Sequence, residues 1–573
     1  MATTGILRLR RSAAQLHALG SVEREIRAND PSYGCKYIRN FRDAFQSYSR
    51  VLTAAEVHEQ IARAGIVLVG DYHALPNSQR YLASLLRHPA LAHRPLVLGL
   101  EPIFARDQHI LDEWQRREID ERELRQRIRY DLEWGYDWEP LAELLCAARD
   151  RGARIYGLDC MPREDLRKIG ARDRHAAAKI AEIRQRHPKA LILVLFGESH
   201  LAPQHLPARI TSSLRESDSV PGRRRMLTVL QNVDALYWRA AGEASDHVDA
   251  VEVSQRVVCV FNSTPLEKYE NYRLRLNRWK CADATGPDHT PTFYNLIDGL
   301  VRFLGIDQYS PHNSSQPRLL VDLMPEVYSR SSDALLRRLL QRKGITATSR
   351  RSLLRRVRER GSGYLAELNA IYVRQFRMIS ASEDASRFLH HACLGLPNRC
   401  LPKRYLPNRV SPDPQGLEPV DVFYRTVVEH ALAFFGSRIL HPARPAFRDS
   451  DLADRYELTS EDLELQTGLP FADALAVLDL VTALRQRDAR DRRPHVPRKR
   501  TSPLSLLSQA LAWTGRKYDL LTEQLGFLAG NDLYDAYVQG HASARTLRKL
   551  FLAHIDQPGI ARDAYFQLVA RSH

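Results

Sequence analysis

Residues 66–69, Ile-Val-Leu-Val, form an unbroken apolar run that stops at Gly70 and gives way at once to Asp71, Tyr72 and His73. Upstream, Thr53 and Glu56 stand at capping-box spacing, Val57 and Ile61 fall on one helical face, and Gly65 offers a stop. Downstream, Pro76 and Asn77 read as a helix start, with Leu82, Leu85 and Leu86 on one face. The pattern predicts helix, strand, turn, helix, and it recurs. The run PLVLGLE ends at Glu101, and Ile110, Leu111 and Trp114 follow at helical spacing. Asp120 and Asp137 are placed to cap helices carrying Leu124 and Ile128, then Leu141, Leu144 and Leu145. RIYGLD ends at Asp159, and a helix through ARDRHAAAKIAEIRQRH leads to LILVLFG, which stops at Glu198, Ser199 and His200. MLTVLQNV and RVVCVFN are two further candidate strands. Strands alternating with helices predict an α/β fold, a mostly parallel sheet covered by helices on both faces.

Beyond about residue 281 the texture changes. CADATGPDHTP reads as a break, PTFYNLIDGLVRFLGI is amphipathic, and PHNSSQP reads as a loop. From Leu319 onward the pattern is mainly α-helical. A Pro-rich loop, LPKRYLPNRVSPDPQGLEP, divides this half near residue 410, and a basic loop, RDARDRRPHVPRKR, divides it near 490. The expected organisation is an N-terminal extension over residues 1–49, an α/β domain over 50–280, a linker over 281–318 and a helical region over 319–573.

A parallel sheet fed by helical crossovers brings the carboxyl ends of its strands to one edge, where open α/β sheets place their ligands. Asp71 and His73, Glu101, Asp159, and Glu198 and His200 each follow a separate predicted strand. Two histidines among carboxylates suit a divalent ion such as zinc, manganese or iron, with a carboxylate left over as a general base. The alternative for each acid is a helix cap or a turn hydrogen bond. No nucleophile stands out, since Gly197-Glu198-Ser199-His200 is not the pattern of a nucleophile elbow.

Charge adds a second theme. The chain has 573 residues and a net charge of +16, which invites nucleic acid as a partner. Nearly all of the excess is local: residues Arg337 to Arg360 carry +9 and Arg485 to Arg500 carry +6. Leu335, Leu336, Leu339, Leu340, Leu353, Leu354 and Val357 interleave the first set, which reads as amphipathic helices with solvated basic faces, so nucleic acid is not expected. LTSEDLELQTGLPFADALAVLDL has helix-turn-helix rhythm around Gly468, but its second helix offers Asp473 and Asp479 and no base; it reads as a structural pair. His390, His391, Cys393 and Cys400 lack zinc-site spacing. Seven scattered cysteines fit reduced thiols, no apolar run is long enough to span a membrane, and no secretory leader pattern is present. A cytoplasmic protein is expected.

Gly-Asp-Tyr-His at 70–73, Leu-Glu-Pro-Ile-Phe at 100–104 and Phe-Gly-Glu-Ser-His at 196–200 resemble, in order and spacing, the motifs of the ChaN-like family. That family belongs to the haem-binding uptake and Tiki superfamily, related in fold to erythromycin esterases and TraB-type proteins. WGYDWEPLAELLCAARDRGARIYGLD and GARDRHAAAKI resemble its intervening segments, and the resemblance covers roughly residues 50–280. It implies a site at the strand ends that binds haem, iron or another metal ligand. His73, Glu101 and His200 are the implied catalytic or metal-binding residues; Asp71, Tyr72, Asp159, Arg172 and Glu198 are the implied cofactor contacts. The implied cofactor is haem or a divalent metal ion, and the implied partner a small-molecule or metal ligand, with self-association left open. Asp71 departs from the family, which has Glu in that slot. The uptake members are exported lipoproteins, and this chain shows no export signal. Two alternatives stand beside the ligand-binding reading: a metal-dependent hydrolase using the same His/Glu cluster, and a scaffold or nucleic-acid-associated protein acting through the basic helical half.

Overall fold

The computed structural model describes residues 2–569 apart from 31–33, 162, 164–168, 218–225, 244–246, 281–286, 307–322, 330–331, 397–416 and 492–502. Most of the Pro-rich loop near 410, the basic loop near 490 and the PHNSSQP segment lie outside the described residues. The chain divides into two compact units: Val22–Lys280, and Met1–Ser21 with Cys281–His573.

The first unit is the α/β fold. Its eight strands are β1 (Arg50–Leu52), β2 (Ile66–Asp71), β3 (Leu96–Phe104), β4 (Arg154–Asp159), β5 (Leu191–Gly197), β6 (Met226–Gln231), β7 (Ala250–Ser254) and β8 (Val257–Val260). They lie in the order β1-β7-β8-β6-β2-β5-β3-β4. The six strands from β8 to β4 are mutually parallel; β7 runs antiparallel to both β8 and β1. β2, β3 and β5 are buried along their whole length. Their side chains alternate between two apolar layers, as a two-residue period requires. Val67, Val69, Leu98, Leu193 and Leu195 enter one layer; Ile66, Leu68, Val97, Ile192 and Val194 enter the other.

Local chemistry sets the helices. Thr53 and Glu56 form the expected capping box on Ala54–Arg63, with the Thr53 N–H donating to Glu56 Oε2 at 2.8 Å. Asp120 accepts the Glu123 N–H at 2.7 Å and caps Glu121–Arg127. Asp137 precedes Trp138–Asp150 but makes no cap, because Arg275 and Arg278 take its carboxylate.

The unit boundary falls inside the expected 1–49 extension. Residues 22–49 belong to the α/β unit, where Phe41 and Phe45 pack in the same apolar layer as Phe196 and Leu201. Within the expected linker, Thr290–Leu304 is a helix with Phe293, Leu296, Ile297 and Leu300 buried. The second unit is mainly helical, with one small sheet of β9 (Glu326–Ser329), β10 (Ser362–Leu365) and β11 (Ala370–Val373) in the order β10-β11-β9. The pair read around Gly468 forms as helices Ser460–Thr467 and Phe471–Asp491, with Gly468 at φ +64°. His390 and Cys393 are buried in the helix Met378–Leu394. Among the described residues no single helix is long and apolar enough to cross a membrane.

The β3–β4 register shifts between Leu100 and Phe104, and β4 answers with Gly157. A Cβ on Gly157 would lie 2.5 Å from the Phe104 carbonyl oxygen and 2.9 Å from that of Ile103, both backbone. Gly157→Ala should therefore cost about 1–3 kcal/mol in thermal or urea unfolding, whereas Gly242→Ala, in a helix with open space around it, should change stability by less than about 1 kcal/mol in the favourable direction.

Candidate functional site

The same register shift carries Glu101 out of the ladder. β3 pairs with β5 only as far as Leu100 opposite Leu195. Two residues on, the Gly197 N–H donates to Glu101 Oε2 at 2.5 Å, so a side chain completes what the strand leaves open. The other oxygen, Oε1, accepts from Arg172 Nη2 at 2.5 Å. Arg172 also grips Asp159, Nε to Oδ1 and Nη2 to Oδ2, both at 2.8 Å. Arg163 donates to Asp159 Oδ2 at 2.6 Å and to the Glu101 backbone carbonyl at 2.7 Å. Asp159 thus spends both oxygens anchoring two arginines.

Two histidines face Glu101. His73 Nδ1 donates to Asp71 Oδ2 at 2.9 Å, and its Nε2 stands 3.9 Å from Glu101 Oε2. His200 Nδ1 donates to Asp173 Oδ1 at 2.6 Å, and its Nε2 stands 3.7 Å from Glu101 Oε1. Each imidazole therefore has its Nδ1 fixed by a carboxylate and its Nε2 aimed at the glutamate. Gly197 makes room for this, since a Cβ there would lie 3.1 Å from Glu101 Oε2 and from His73 Cε1 and Nε2. Glu101 and His200 are almost wholly buried, while His73 keeps 24% of its side chain accessible and is the face the site presents.

Burial favours the neutral form of each group, and the neighbours decide the outcome. For Glu101, burial pushes the pKa up, but His200, His73, Arg172 and the Gly197 N–H together hold the carboxyl below its usual range. For His73, burial pushes the pKa down, but Asp71 and then Glu101 outweigh it and the imidazole is raised above its ordinary value.

The chain thus brings together Asp71, His73, Glu101, Asp159 and His200 near the strand ends, with Arg172 reaching them from the helix Ile169–Arg186. It sets Tyr72 and Glu198 apart in an adjoining cluster. There, buried Lys268 lies 3.0 Å from Glu198 Oε1 and 3.7 Å from Asp234, and 4.6 Å over the Tyr72 ring. Tyr269 and Tyr272 complete that cluster.

His73, Glu101 and His200 converge but do not make the expected metal-ligand set. Among the described residues no group of three or more His, Cys, Asp or Glu side chains is arranged to hold an ion.

Several contributors carry no signal in the sequence. Asp173 sits in a helix beside Arg172, and nothing in Arg-Asp-Arg-His singles it out as the partner of His200. Tyr37, from the N-terminal segment, donates to Asp173 Oδ2, lies 3.4 Å from His200 Nδ1 and stacks on His205 with ring centroids 3.6 Å apart. Trp134 and Tyr136 flank His73 at centroid distances of 4.5 and 5.3 Å, and Tyr136 continues to Trp279 at 5.3 Å. Trp279 is 48% exposed, so the rings form a strip from the buried histidine to the surface. Along it the Trp134 Nε1–H is buried without a hydrogen-bond partner. The Trp/Tyr-rich run WGYDW was the one available hint.

Residues 57–191 match the family model described as haem-binding uptake, Tiki superfamily, ChaN. That span is ChaN-like, and it holds Asp71, His73, Glu101, Asp159, Arg172 and Asp173; the Phe-Gly-Glu-Ser-His segment lies just beyond it. Among solved structures, the chain is similar to the one titled "Cofacial heme binding to ChaN of Campylobacter jejuni", at 12% identity, over 32% of this chain and 86% of that one, with a TM-score of 0.24. No curated protein matches.

The site's electrostatics can be tested by NMR titration of the His73 ring. In the parent the pKa should lie above 6.5. Asp71→Asn removes the larger of the two raising carboxylates and leaves burial opposed mainly by Glu101, so the pKa should fall. An unchanged value would mean that Asp71 does not set the charge of His73.

Proposed function

We propose that the α/β unit binds a planar, largely apolar ligand along the aromatic strip at the carboxyl edge of its sheet, with haem as the first candidate. The observation that carries this reading is the line of His73, Trp134, Tyr136 and Trp279 running out to solvent. The match of residues 57–191 to the haem-binding uptake family supports haem as the ligand. The aromatic rings of the strip fit the flat apolar face of the group. His73 would border the ligand with its accessible ring, its Nδ1–H engaged by Asp71 and its Nε2 turned to Glu101. Trp134 and Tyr136 would lie against the macrocycle, and the buried Trp134 N–H has no hydrogen-bond partner of its own. Bound haem would supply an iron centre; the chain's own part would be to pack aromatic rings against the group and exclude water.

Haem added to the purified protein should give a saturable change in the Soret band. His73→Ala should weaken binding at least tenfold or shift the band, and Trp134→Ala should weaken it by a smaller factor, with circular dichroism unchanged. No saturable change, or a His73→Ala titration superimposable on the parent, would contradict this reading.

A second reading rests on a different observation, the two His–Asp pairs aimed at one ionised glutamate. That arrangement suits hydrolysis of an ester or amide. One imidazole would take a proton from water while the other gives one to the leaving group, and Glu101 would hold the positive charge between them. If the protein hydrolyses activated esters, Glu101→Gln and His200→Ala should each lower kcat/KM by 100-fold or more; equal rates in both variants would eliminate this reading.

A further inference from the structure

The helical unit contains a second chemistry-bearing surface, far in sequence from the strand-end cluster. Helices Asp333–Arg342 and Ala347–Arg360 are joined by four residues, Lys343 to Thr346, with Gly344 at φ +71°. Thr346 caps the second helix by accepting the Ser349 N–H at 3.2 Å. Leu336, Leu340 and Ile345 pack with Leu353, Leu354 and Val357 in a small core of their own, closed by Leu365, Ala370 and Tyr372 of the β10–β11 hairpin that follows. Two helices, a short glycine-containing turn and a shared apolar core are parts that a helix-turn-helix is built from.

The sequence reading assigned all ten basic residues of this stretch to solvated faces. Their contacts divide them. Arg355 pairs with Asp519, Arg358 with Asp333 at 2.5 Å, and Arg360 with Glu383 at 2.8 Å and with Glu523. Arg356 donates to the Tyr364 carbonyl at 3.1 Å. These four hold the second helix in place by its C-terminal half. Arg337, Arg338, Arg342, Lys343 and Arg351 are exposed and Arg350 half-buried. No Asp or Glu occurs between Asp333 and Glu359 to neutralise them. The free cations therefore gather on the first helix, the turn and the opening of the second helix, beside the small residues Ala347, Thr348 and Ser349. The pair around Gly468 has the same turn plan with the opposite charge, and Lys517 binds its Asp473 at 2.8 Å.

We propose that residues 333–360 dock on duplex nucleic acid, with the N-terminal half of Ala347–Arg360 entering the major groove and the cations of the first helix and turn on the phosphates. A small, uncharged tip followed by two arginines is what the roughly 12 Å major groove admits. An anionic membrane would call for apolar side chains beside the cations, and among the described residues this pair exposes no large hydrophobic one. The proposal is independent of the ligand reading of the α/β unit.

The test uses the full chain and a labelled 30-base-pair duplex, followed by fluorescence anisotropy between 50 and 300 mM salt. With about five phosphates neutralised, log K should fall with log[salt] with a slope of about −4 to −5. Arg350→Ala with Arg351→Ala should make the slope shallower by about 2. Arg350→Lys with Arg351→Lys should restore it, and the distant pair Arg545→Ala with Lys549→Ala should leave it unchanged. Absence of binding at 50 mM salt would overturn the proposal. So would equal loss in the distant variant, or capture by phosphatidylserine vesicles without binding to the duplex.

Discussion

A glutamate side chain that is almost wholly buried stays charged only if its surroundings supply what water would. Glu101 is in that position, and the architecture of the α/β unit can be traced from how it is held. Arg172 reaches it from the helix Ile169–Arg186, Gly197 offers a backbone N–H from β5, and the two histidines approach from β2 and from the turn after β5. Removing either an ionic partner or the glutamate alone would leave an uncompensated buried charge, a loss of about 3–5 kcal/mol. Asp159 has the supporting part: held by Arg163 and Arg172, it fixes the guanidinium that fixes Glu101. The same contacts leave Glu101 as the charged floor between two oriented imidazoles.

That arrangement also explains the asymmetry of the two histidines. His200 is packed against Asp173, Tyr37 and Phe196 and is the more deeply buried of the two. His73 has the same kind of carboxylate on Nδ1 but borders Trp134 and Tyr136, and it is the histidine a ligand can reach. Linkage follows from the shifts. Glu101, held below its usual pKa, contributes stability that is present above the unfolded value and lost as pH falls through the folded one. His73, raised, contributes stability that is present below its unfolded pKa and lost as pH rises through the folded one.

The strands that position this site were legible because they are fully buried and uninterrupted. Ile66–Val69, Leu96–Leu100 and Leu191–Phe196 announce themselves as apolar runs, and the parallel topology then forces their ends together. The edge strands were not: β1 has three residues, two of them exposed, and β7 runs against the parallel set. Residue types at the site were legible and their pairings were not. Asp173 and Tyr37 meet across 136 positions of chain, a contact that no local periodicity encodes. Tyr72, between Asp71 and His73, turns to Lys268 because successive residues at a strand end leave on different sides of the sheet, and Glu198 meets the same lysine from the 3-10 turn Glu198–Leu201 that follows the strand.

Arg172, the Gly197 N–H and two histidines together hold Glu101 as a carboxylate. Carbon-13 NMR of protein labelled at the glutamate carboxyl, with Glu101→Gln used to assign the resonance, reads its charge directly. The account predicts a carboxylate chemical shift that stays flat from pH 8 down to pH 4. A Glu101 carboxyl that takes up a proton at or above pH 5 while the protein remains folded would contradict it.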